Sequence, residues 1–365
     1  MKNTFGNSIC VTLFGESHGE AIGAVVDGLA PGITVDEEYI SSRLLLRRPA
    51  SDISTARREK DEFKIVSGVL DGKTTGAPLC VLIPNEDVKS ADYDKLGFLA
   101  RPGHADMTAY EKYHGFEDRR GGGHFSGRLT APLVAVGAIA ESALKEKGIF
   151  IGTHIKRCAN IADRRFENIL DDVKSLEYAP FPVLDKESGE KMKQAIVAAK
   201  ESGDSVGGVL ETAVCGVPAG VGEPWFDGVE SALARALFGV PAVKGVEFGA
   251  GFAISDMKGS EANDAFYSEN GKIYTKTNNN GGVLGGITNG MPIVFSCAIK
   301  PTPSIALPQQ TVDVVSKENT TISVSGRHDP AIVHRARAVV DAAAALVIAD
   351  LLAVRYGTDF FGEKR

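Results

Sequence analysis

The segment that most constrains this chain spans residues 119–130 and reads Arg-Arg-Gly-Gly-Gly-His-Phe-Ser-Gly-Arg-Leu-Thr. Three consecutive glycines permit backbone conformations and close approaches that a β-carbon would block. Directly after them, apolar residues recur at helical spacing up to Gly148, so the pattern predicts a loop that leads into a helix. The N–H groups at the start of such a helix attract anions, and the flanking arginines favour an anion site over a plain connecting loop. The segment is not a P-loop, because Gly-x-x-x-x-Gly-Lys-Ser/Thr does not occur in the chain.

Composition excludes several classes of protein. The chain has 365 residues, of which 43% are hydrophobic and 24% charged, as in an ordinary globular protein. A net charge of −7 does not indicate nucleic acid as a partner. The longest apolar run without Gly or Pro, residues 342–349, is too short to span a bilayer, and the N-terminus lacks a signal-peptide pattern. Five widely spaced cysteines without a Cys-x-x-Cys motif indicate reduced thiols, so we expect a soluble cytoplasmic protein without a membrane partner.

Hydrophobic periodicity predicts an alternation of strands and helices along the chain. We expect strands near 8–14, 22–26, 63–69, 78–83, 148–156, 206–215, 292–300 and 321–325. We expect helices near 36–48, 129–148, 190–202 and 229–238, and a long C-terminal helix with Pro330 in its first turn. Thr34 and Glu37 have the spacing of a capping box for the first helix. Glycine-rich clusters occur in both halves without a repeat or a linker, which favours a single domain over residues 1–365.

Four polar clusters fall at turns between these elements, where catalytic groups concentrate. Histidine titrates near neutral pH and suits proton transfer, although a single histidine is more often structural. Guanidinium groups match phosphates and carboxylates, so the combination indicates phosphate-ester chemistry with acid–base assistance. The clusters are His18 with Glu16 and Ser17; His104 with Asp106; His124 with Ser126 and Arg128; and Arg327, His328 and Asp329.

Other kinds of site are less consistent with the pattern. His104 and Asp106 could bind a metal, but arginines in the same segments disfavour a cation, so we expect no metal site. Residues 15–19 match Gly-x-Ser-x-Gly, yet a strand-like run follows where a nucleophile elbow needs a helix. A Rossmann fingerprint is missing after the first strand. Residues 300–304 lie close to a second glycine-rich stretch at 278–290 and could hold another phosphate, such as that of a nucleotide or flavin.

Taken in order, these segments resemble the chorismate synthase family. Residues 15–28, 123–139 and 327–341 resemble its three signatures, and 101–106, 241–245, 280–290 and 300–304 match further family segments. The resemblance covers nearly the whole chain. It implies an α+β fold, a β-α-β sandwich in which helices lie between antiparallel sheets, and a homotetramer.

The resemblance also implies a reaction. Phosphate would leave C3 of 5-enolpyruvylshikimate 3-phosphate and a proton would leave C6, a trans-1,4 elimination that forms chorismate. Reduced FMN would be required although no net redox change occurs. Two other interpretations stay open at this point: a protein that binds FMN or another phosphate ligand without lyase activity, and a metal-dependent phosphoesterase.

Individual roles follow from the resemblance alone. His18 would protonate the departing phosphate, His104 would protonate the reduced flavin near N1, and Asp329 would help to remove the N5 proton. Arg47, Arg48 and Arg128 would face the carboxylates and phosphate of the substrate. Alternatively, Arg47 would face a nicotinamide donor, and NADPH is therefore a possible reductant. The implied FMN contacts are His124, Phe125, Ser126, Pro241, Ala242, Gly285, Lys300, Pro301, Thr302, Pro303, Ser304 and Arg327.

The chain departs from the family pattern at several of these places. His124 and Phe125 stand where Arg and Ser are usual, and Ile53 stands where a basic residue is common. Pro303 replaces a usual Ser and His334 a usual Pro. His18, His104 and Asp329 are all retained.

Overall fold

Two five-stranded antiparallel sheets frame the chain in a computed structural model, which describes residues 2–49, 53–54, 60–86, 97–323 and 329–363. The first sheet has the order β1-β2-β3-β7-β4 and the second the order β11-β16-β10-β8-β9. Four two-stranded ribbons pair β5 with β6, β12 with β13, β14 with β15, and β17 with β18. The strands are β1 Thr4–Phe5, β2 Cys10–Gly15, β3 Ala21–Asp27, β4 Lys64–Ser67, β5 Val69–Leu70, β6 Lys73–Thr74, β7 Leu79–Pro84, β8 Phe150–Cys158, β9 Ile161–Ala162, β10 Gly208–Cys215, β11 Val243–Phe248, β12 Phe266–Glu269, β13 Lys272–Thr275, β14 Val283–Leu284, β15 Ile287–Thr288, β16 Ile293–Ile299, β17 Gln309–Val312 and β18 Asn319–Ile322.

Helices pack on the sheets, and the two longest lie between them. Their bounds are α1 Glu37–Arg47, α2 Asp106–Tyr113, α3 Thr130–Glu146, α4 Ile169–Ser175, α5 Lys186–Glu201, α6 Val229–Gly239, α7 Gly259–Ala262 and α8 Val333–Tyr356. Helix α3 packs on β3 and β7 of the first sheet, and α8 packs on β8 and β10 of the second. The two helices also pack on each other, so the layers follow the predicted order of sheet, helices and sheet. Within the described residues, no helix combines the length and apolarity needed to cross a membrane.

The contact between α3 and α8 depends on small residues. A β-carbon on Gly137 of α3 would lie only 2.4 Å from the Cβ atom of Ala342 on α8. Helix axes approach this closely only where one side chain is absent, so glycine is needed at this crossing. Alanines along both helices, almost all of them buried, extend the close packing and explain the alanine-rich pattern of the two segments.

Charged side chains lie inside this apolar layer. The guanidinium of Arg43 is buried and contacts Glu141 at 3.1 Å and Asp341 at 2.5 Å. Arg337, one turn before Asp341, donates to the same carboxylate at 3.0 Å. Thr153 on β8 donates to the other oxygen of Asp341 at 2.6 Å. Removal of one member would leave an uncompensated buried charge, so the network fixes how α1, α3 and α8 meet β8.

The N-terminal segment is held by the C-terminal helix. Asp350 on α8 accepts hydrogen bonds from the backbone N–H groups of Asn7, Ser8 and Ile9, at 2.7–3.1 Å. These N–H groups precede β2 and would otherwise need water or another acceptor. One carboxylate therefore connects the start of the first sheet to the helix that covers the second.

Some sequence-based expectations about elements are wrong. Asp36, rather than Thr34, caps α1, and its carboxylate accepts from the N–H of Tyr39 at 2.9 Å. Pro330 is not in the first turn of α8, which begins at Val333, because the Pro330 carbonyl pairs with the N–H of Val206 at 2.8 Å. Strand β11 and helix α4 were not predicted, and α5 begins four residues earlier than expected because Asp185 caps it. The last predicted strand ends at Ile322, and residues 324–325 lie outside the described residues.

Candidate functional site

A cavity of about 740 Å³ opens beside the glycine loop, defined here as residues 119–127. Backbone of the loop forms one wall, and the segments 97–106 and 238–244 form two others. Aromatic rings and cationic side chains complete the lining: Phe98, Tyr110, Phe125, Phe238, Arg101, Arg119, Lys244 and Lys300. The guanidinium of Arg119 lies 4.1 Å from the centre of the Phe98 ring, a cation–π contact. A cavity with this lining suits a flat ring system that carries an anionic group.

His104 lies in this cavity and is held by the segment that follows β16. Its Nε2 atom lies 2.8 Å from the hydroxyl oxygen of Ser304. Two residues on, Asp106 accepts two hydrogen bonds from the guanidinium of Arg101, both at 2.8 Å. Burial alone would raise the pKa of Asp106, but the hydrogen bonds and charge of Arg101 outweigh it and hold that pKa below its usual range. The turn that presents His104 is therefore stabilised by an ion pair at its base.

The glycine loop takes a conformation that requires its glycines. Gly121, Gly122 and Gly123 have φ angles of 61°, 87° and 52°. A β-carbon on Gly121 would lie 2.1 Å from Cε1 of His18, and one on Gly123 would lie 1.9 Å from a backbone oxygen. The loop thus packs its bare backbone directly on the imidazole of His18.

His18 is buried behind this loop. The hydroxyl of Ser17 lies 3.1 Å from Nδ1 of His18 and 3.2 Å from the carbonyl oxygen of Arg120. The backbone N–H of Ser17 donates to the Gly123 carbonyl at 3.1 Å. Gly121 lines the large cavity, whereas His18 is outside the described lining of both cavities. Gly121 therefore lies between the imidazole and the large cavity.

A second cavity of about 230 Å³ adjoins the first and contains the arginine cluster, defined as Arg47, Arg48 and Arg128. All three side chains converge on the buried carboxylate of Asp61. Arg128 Nη1 donates to Asp61 Oδ1, while Arg47 Nη2 and Arg48 Nε each lie 3.8 Å from Oδ2. Guanidinium groups arranged in this way suit a ligand with carboxylate or phosphate groups.

Asp329 lies in the same small cavity. It accepts a hydrogen bond from Arg335 Nη1 at 2.6 Å, and Arg335 Nε donates to the carbonyl of Arg47 at 2.8 Å. Of the described residues, six line both cavities: Ser126, Gly127, Thr130, Val240, Pro241 and Ile332. The two cavities therefore share a wall at the end of the glycine loop, and groups bound in them would be neighbours.

The expected cofactor residues are distributed unevenly around the large cavity. Those that line it are His124, Phe125, Ser126, Pro241, Ala242, Lys300 and Pro303, and Ser304 contacts it through His104. Pro301, Thr302 and Gly285 are outside the described lining of both cavities: the Thr302 carbonyl accepts from Ser205 at 2.7 Å, and Gly285 lies between β14 and β15. Arg327 and His328 lie outside the described residues, as do residues 50–52 and 55–59.

Two expected contact residues have local structural partners. His124 occupies a position where Arg is usual in the resembled family, and its Nδ1 donates to the Gly15 carbonyl at 2.8 Å. Phe125 packs edge-on against Tyr113, with ring centres 6.0 Å apart. Ile53, at a position where a basic residue is common, is buried in the hydrophobic core. These three substitutions thus make hydrogen bonds or apolar contacts of their own.

Several residues of the site were not predicted from sequence. Asp61 offsets part of the charge of the arginine cluster. Arg335 orients Asp329, and Phe98 stacks on Arg119. Asn85 contacts both Arg128 and the turn of His18. One sequence signal could have indicated Asp61, namely the charge of the polar segment around it. A buried carboxylate is expected wherever several arginines are buried together.

A family model described as chorismate synthase matches residues 9–353. The chain belongs to the chorismate synthase family. Chorismate synthases of Aeropyrum pernix and Pyrococcus abyssi are 45% and 47% identical to it, over 97% and 96% of this chain and 93% and 97% of their own lengths. That of Methanosarcina mazei is 47% identical over 95% of both chains.

The fold agrees with this membership. A crystal structure of a chorismate synthase superposes with a TM-score of 0.76 at 30% identity and covers 96% of this chain and 94% of the other. The α+β sandwich expected from the resemblance is thereby confirmed. As a chorismate synthase the protein is a lyase, and a binding protein without lyase activity is not favoured.

Proposed function

We propose that the protein forms chorismate from 5-enolpyruvylshikimate 3-phosphate by a trans-1,4 elimination of phosphate, with reduced FMN in the large cavity and the substrate in the small one. The observation that carries this proposal is the pair of adjoining cavities, one walled by glycine backbone and aromatic rings and the other by the arginine cluster. The two ligands would meet at the shared wall formed by residues such as Ser126 and Pro241.

The large cavity fits a flavin mononucleotide. Its volume of about 740 Å³ lies in the range of cofactor sites, about 300–1,000 Å³. The bare backbone of the glycine loop and the Phe98 ring would contact the flavin ring system, and Lys300 and Lys244 would balance the phosphate charge. When bound, reduced FMN would supply an electron-rich ring and an N5 position that takes up the C6 proton.

The small cavity fits a substrate with two carboxylates and a phosphate. Arg128 and Arg47 are almost completely buried, and Arg48 is about one-third exposed, so the cluster combines a desolvated interior with an open side. Charge-assisted hydrogen bonds are strongest where water is excluded. We therefore assign the substrate, rather than a nicotinamide donor, to these arginines.

The three proposed catalytic residues have different positions relative to the two cavities. His104 faces the large cavity, and we assign to it proton donation toward the N1 side of the flavin site. Asp329, oriented by Arg335 in the small cavity, would accept the proton that must leave the N5 side before elimination. His18 would donate a proton to the departing phosphate from behind the glycine loop, which requires that the loop opens a path at Gly121.

Further expectations are proposals of the same kind. We propose that residues 1–365 form a single domain, which is supported by one hydrophobic core that takes residues from both sheets. A homotetramer is supported by large apolar side chains that are more than four-fifths exposed, among them Phe116, Trp225, Phe226 and Phe252. A cytoplasmic location is supported by five free thiols.

The test is an anaerobic assay with chemically reduced FMN and the enolpyruvyl substrate, with chorismate and inorganic phosphate measured together. We expect equal amounts of both products, and none with oxidised FMN alone. A protein that retains flavin but forms no chorismate would refute the lyase. Phosphate release from simple esters that stops with a chelator would instead indicate a metal-dependent phosphoesterase.

A second assay, with oxidised FMN and NADPH in air, tests whether NADPH serves as the reductant. If no chorismate forms in this assay, the flavin must be reduced by an external source.

A further inference from the structure

Asn85 connects the turn of His18 to the arginine cluster. It follows β7 directly, and its side-chain amide Nδ2 donates to the carbonyl oxygens of Glu16 at 3.0 Å and Gly19 at 2.9 Å. Those two carbonyls flank His18 in the chain. On its other side, Asn85 Oδ1 accepts from Arg128 Nε at 3.1 Å. One carboxamide thus contacts the segments that carry a proposed proton donor and a proposed substrate cation.

The turn of His18 is supported from two sides. The glycine loop holds it through the Ser17 N–H and the Ser17 hydroxyl. Asn85 holds it through the two carbonyls and also through its own backbone N–H, which donates to the Glu20 carbonyl at 3.0 Å. Without the Asn85 amide, the side of the turn that faces β7 would lose two hydrogen bonds, and the position of the imidazole would depend more on the glycine loop.

Arg128 is oriented by the same strand end. Its Nε donates to Asn85, its Nη2 donates to the Pro84 carbonyl at 3.2 Å, and its Nη1 donates to Asp61. Two of its three nitrogens are therefore held by consecutive residues at the end of β7. The guanidinium plane has one orientation relative to that strand end, and the turn of His18 is bonded to one of the same two residues, Asn85.

Resting on the function proposed above, we propose that Asn85 is a positioning residue that holds His18 at a fixed distance and angle from the anion bound by Arg128. Only a carboxamide offers two donors and an acceptor on so short a side chain. An ionised aspartate would keep the acceptor for Arg128 but would turn oxygen lone pairs toward two carbonyl oxygens. Misplacement of a catalytic group by about 1 Å can lower the rate about 100-fold, so the expected effect falls on the chemical step.

Two variants separate the contacts of Asn85. Asn85→Ala removes all of the side-chain contacts, and Asn85→Asp keeps the acceptor for Arg128 while it loses both donors to the turn. We expect kcat to fall about 10- to 100-fold in both variants, with KM within about threefold of the wild-type value and FMN affinity unchanged. If only the contact with Arg128 mattered, Asn85→Asp would keep the wild-type kcat, and that result would overturn the proposal.

Asn279→Ala is the matched control. Asn279 Nδ2 also donates to two backbone carbonyls, those of Glu261 at 3.1 Å and Ala262 at 3.3 Å, and it lies outside the described lining of both cavities. We expect a similar loss of thermal stability in this variant but a wild-type kcat. If kcat fell as far in Asn279→Ala as in Asn85→Ala, general destabilisation would explain the fall in both variants. That result would refute the positioning role.

A measurement without FMN or turnover tests the same geometry. The Cε1–H resonance of His18, assigned by comparison with His18→Gln, is followed by NMR as inorganic phosphate is added. We expect the phosphate to shift this resonance in the wild-type protein and to shift it by less than half as much in Asn85→Asp. Should both Asn85 variants fail to fold, a wild-type resonance that phosphate does not move would still overturn the proposal. A wild-type protein that forms no chorismate refutes the proposed function, whereas an active wild type with active Asn85 variants refutes this inference alone.

Discussion

Protonation of His334 should destabilise the protein in mild acid. The residue lies at the start of α8, where its ring is only 4% exposed. Its Nε2 lies 3.0 Å from the Ser54 hydroxyl, and its ring centre lies 5.9 Å from that of Phe181. Burial, with a smaller contribution from the charge of Arg335, lowers the pKa of His334 to about 4, and Asp329 offsets only part of this.

The size of the effect follows from the two protonation states. In the unfolded chain a histidine has a pKa of about 6.5. Between that pH and about 4, the unfolded state binds a proton that His334 in the folded state does not bind. The folded-state pKa is the lower one, so the contribution of His334 to stability is complete above the unfolded pKa. It is lost progressively as the pH falls toward about 4. The loss amounts to about 2 kcal/mol at about pH 5 and to about 3 kcal/mol once both states are protonated.

Urea unfolding of the wild type and of His334→Leu, each at about pH 8 and about pH 5, measures this contribution. Other titrating groups are present in both proteins and cancel in the double difference. They include His154, whose burial favours the neutral form but whose hydrogen bonds with Asp163 and Glu211 outweigh it and raise its pKa. Its contribution is therefore present at low pH and lost as the pH rises. We expect the wild type to lose about 2 kcal/mol more than His334→Leu between the two pH values. Equal losses in the two proteins would show that His334 accepts a proton in the folded state and would refute the reasoning.

Four other substitutions test the fold and the site. Gly137→Ala should lower the free energy of unfolding by about 1–3 kcal/mol, because its new β-carbon meets Ala342; an unchanged urea midpoint would contradict the described helix crossing. His18→Ala and His104→Ala should each lower kcat about 100- to 10,000-fold while the FMN dissociation constant, measured by fluorescence, stays within a few-fold of wild type. Wild-type turnover in both variants would remove their assigned roles. Asp61→Asn should raise KM for the substrate about tenfold, since the arginines around it lose the carboxylate that orients them; a lower KM would mean that Asp61 competes with the substrate instead.

The hydrophobic pattern of the sequence predicted those strands and helices that are determined by their own residues. Strand β7 is a continuous apolar run from Leu79 to Ile83, which is typical of a strand in the interior, and its residues alternate between buried and half-buried positions. Helix α3 was predicted within two residues because its apolar face is long and continuous. Strand β11 was missed because a glycine and two charged residues interrupt its apolar pattern, and only its pairing with β16 makes it a strand. The arrangement of the layers was expected from family resemblance, since no local signal specifies which sheet a strand joins.

Long-range partners explain most of what sequence reasoning missed in the interior. Arg43 could be read as a cation near the end of a helix, yet its carboxylate partner Asp341 is 298 residues away. Asp61 stood in a polar segment without any motif, and its role is visible only once three arginines surround it. For the site, the sequence indicated the histidine turns and the arginines as candidates, and these stay predictions. It could not indicate that His104 lies in one cavity and the arginine cluster in another, because that depends on how the loops pack.

The hydrogen bonds between Asp350 and the backbone of residues 7–9 have a consequence for folding during synthesis. The N–H groups that precede β2 can bond to this carboxylate only after more than 340 further residues have been made. Helix α8, which carries Asp350, also supplies the apolar surface for α3, α6 and β8, so earlier segments emerge from the ribosome without their covering layer. Contacts of such high sequence separation slow folding. We therefore expect the nascent N-terminal half to need chaperone protection, and the native core to close only after residue 350 has left the exit tunnel.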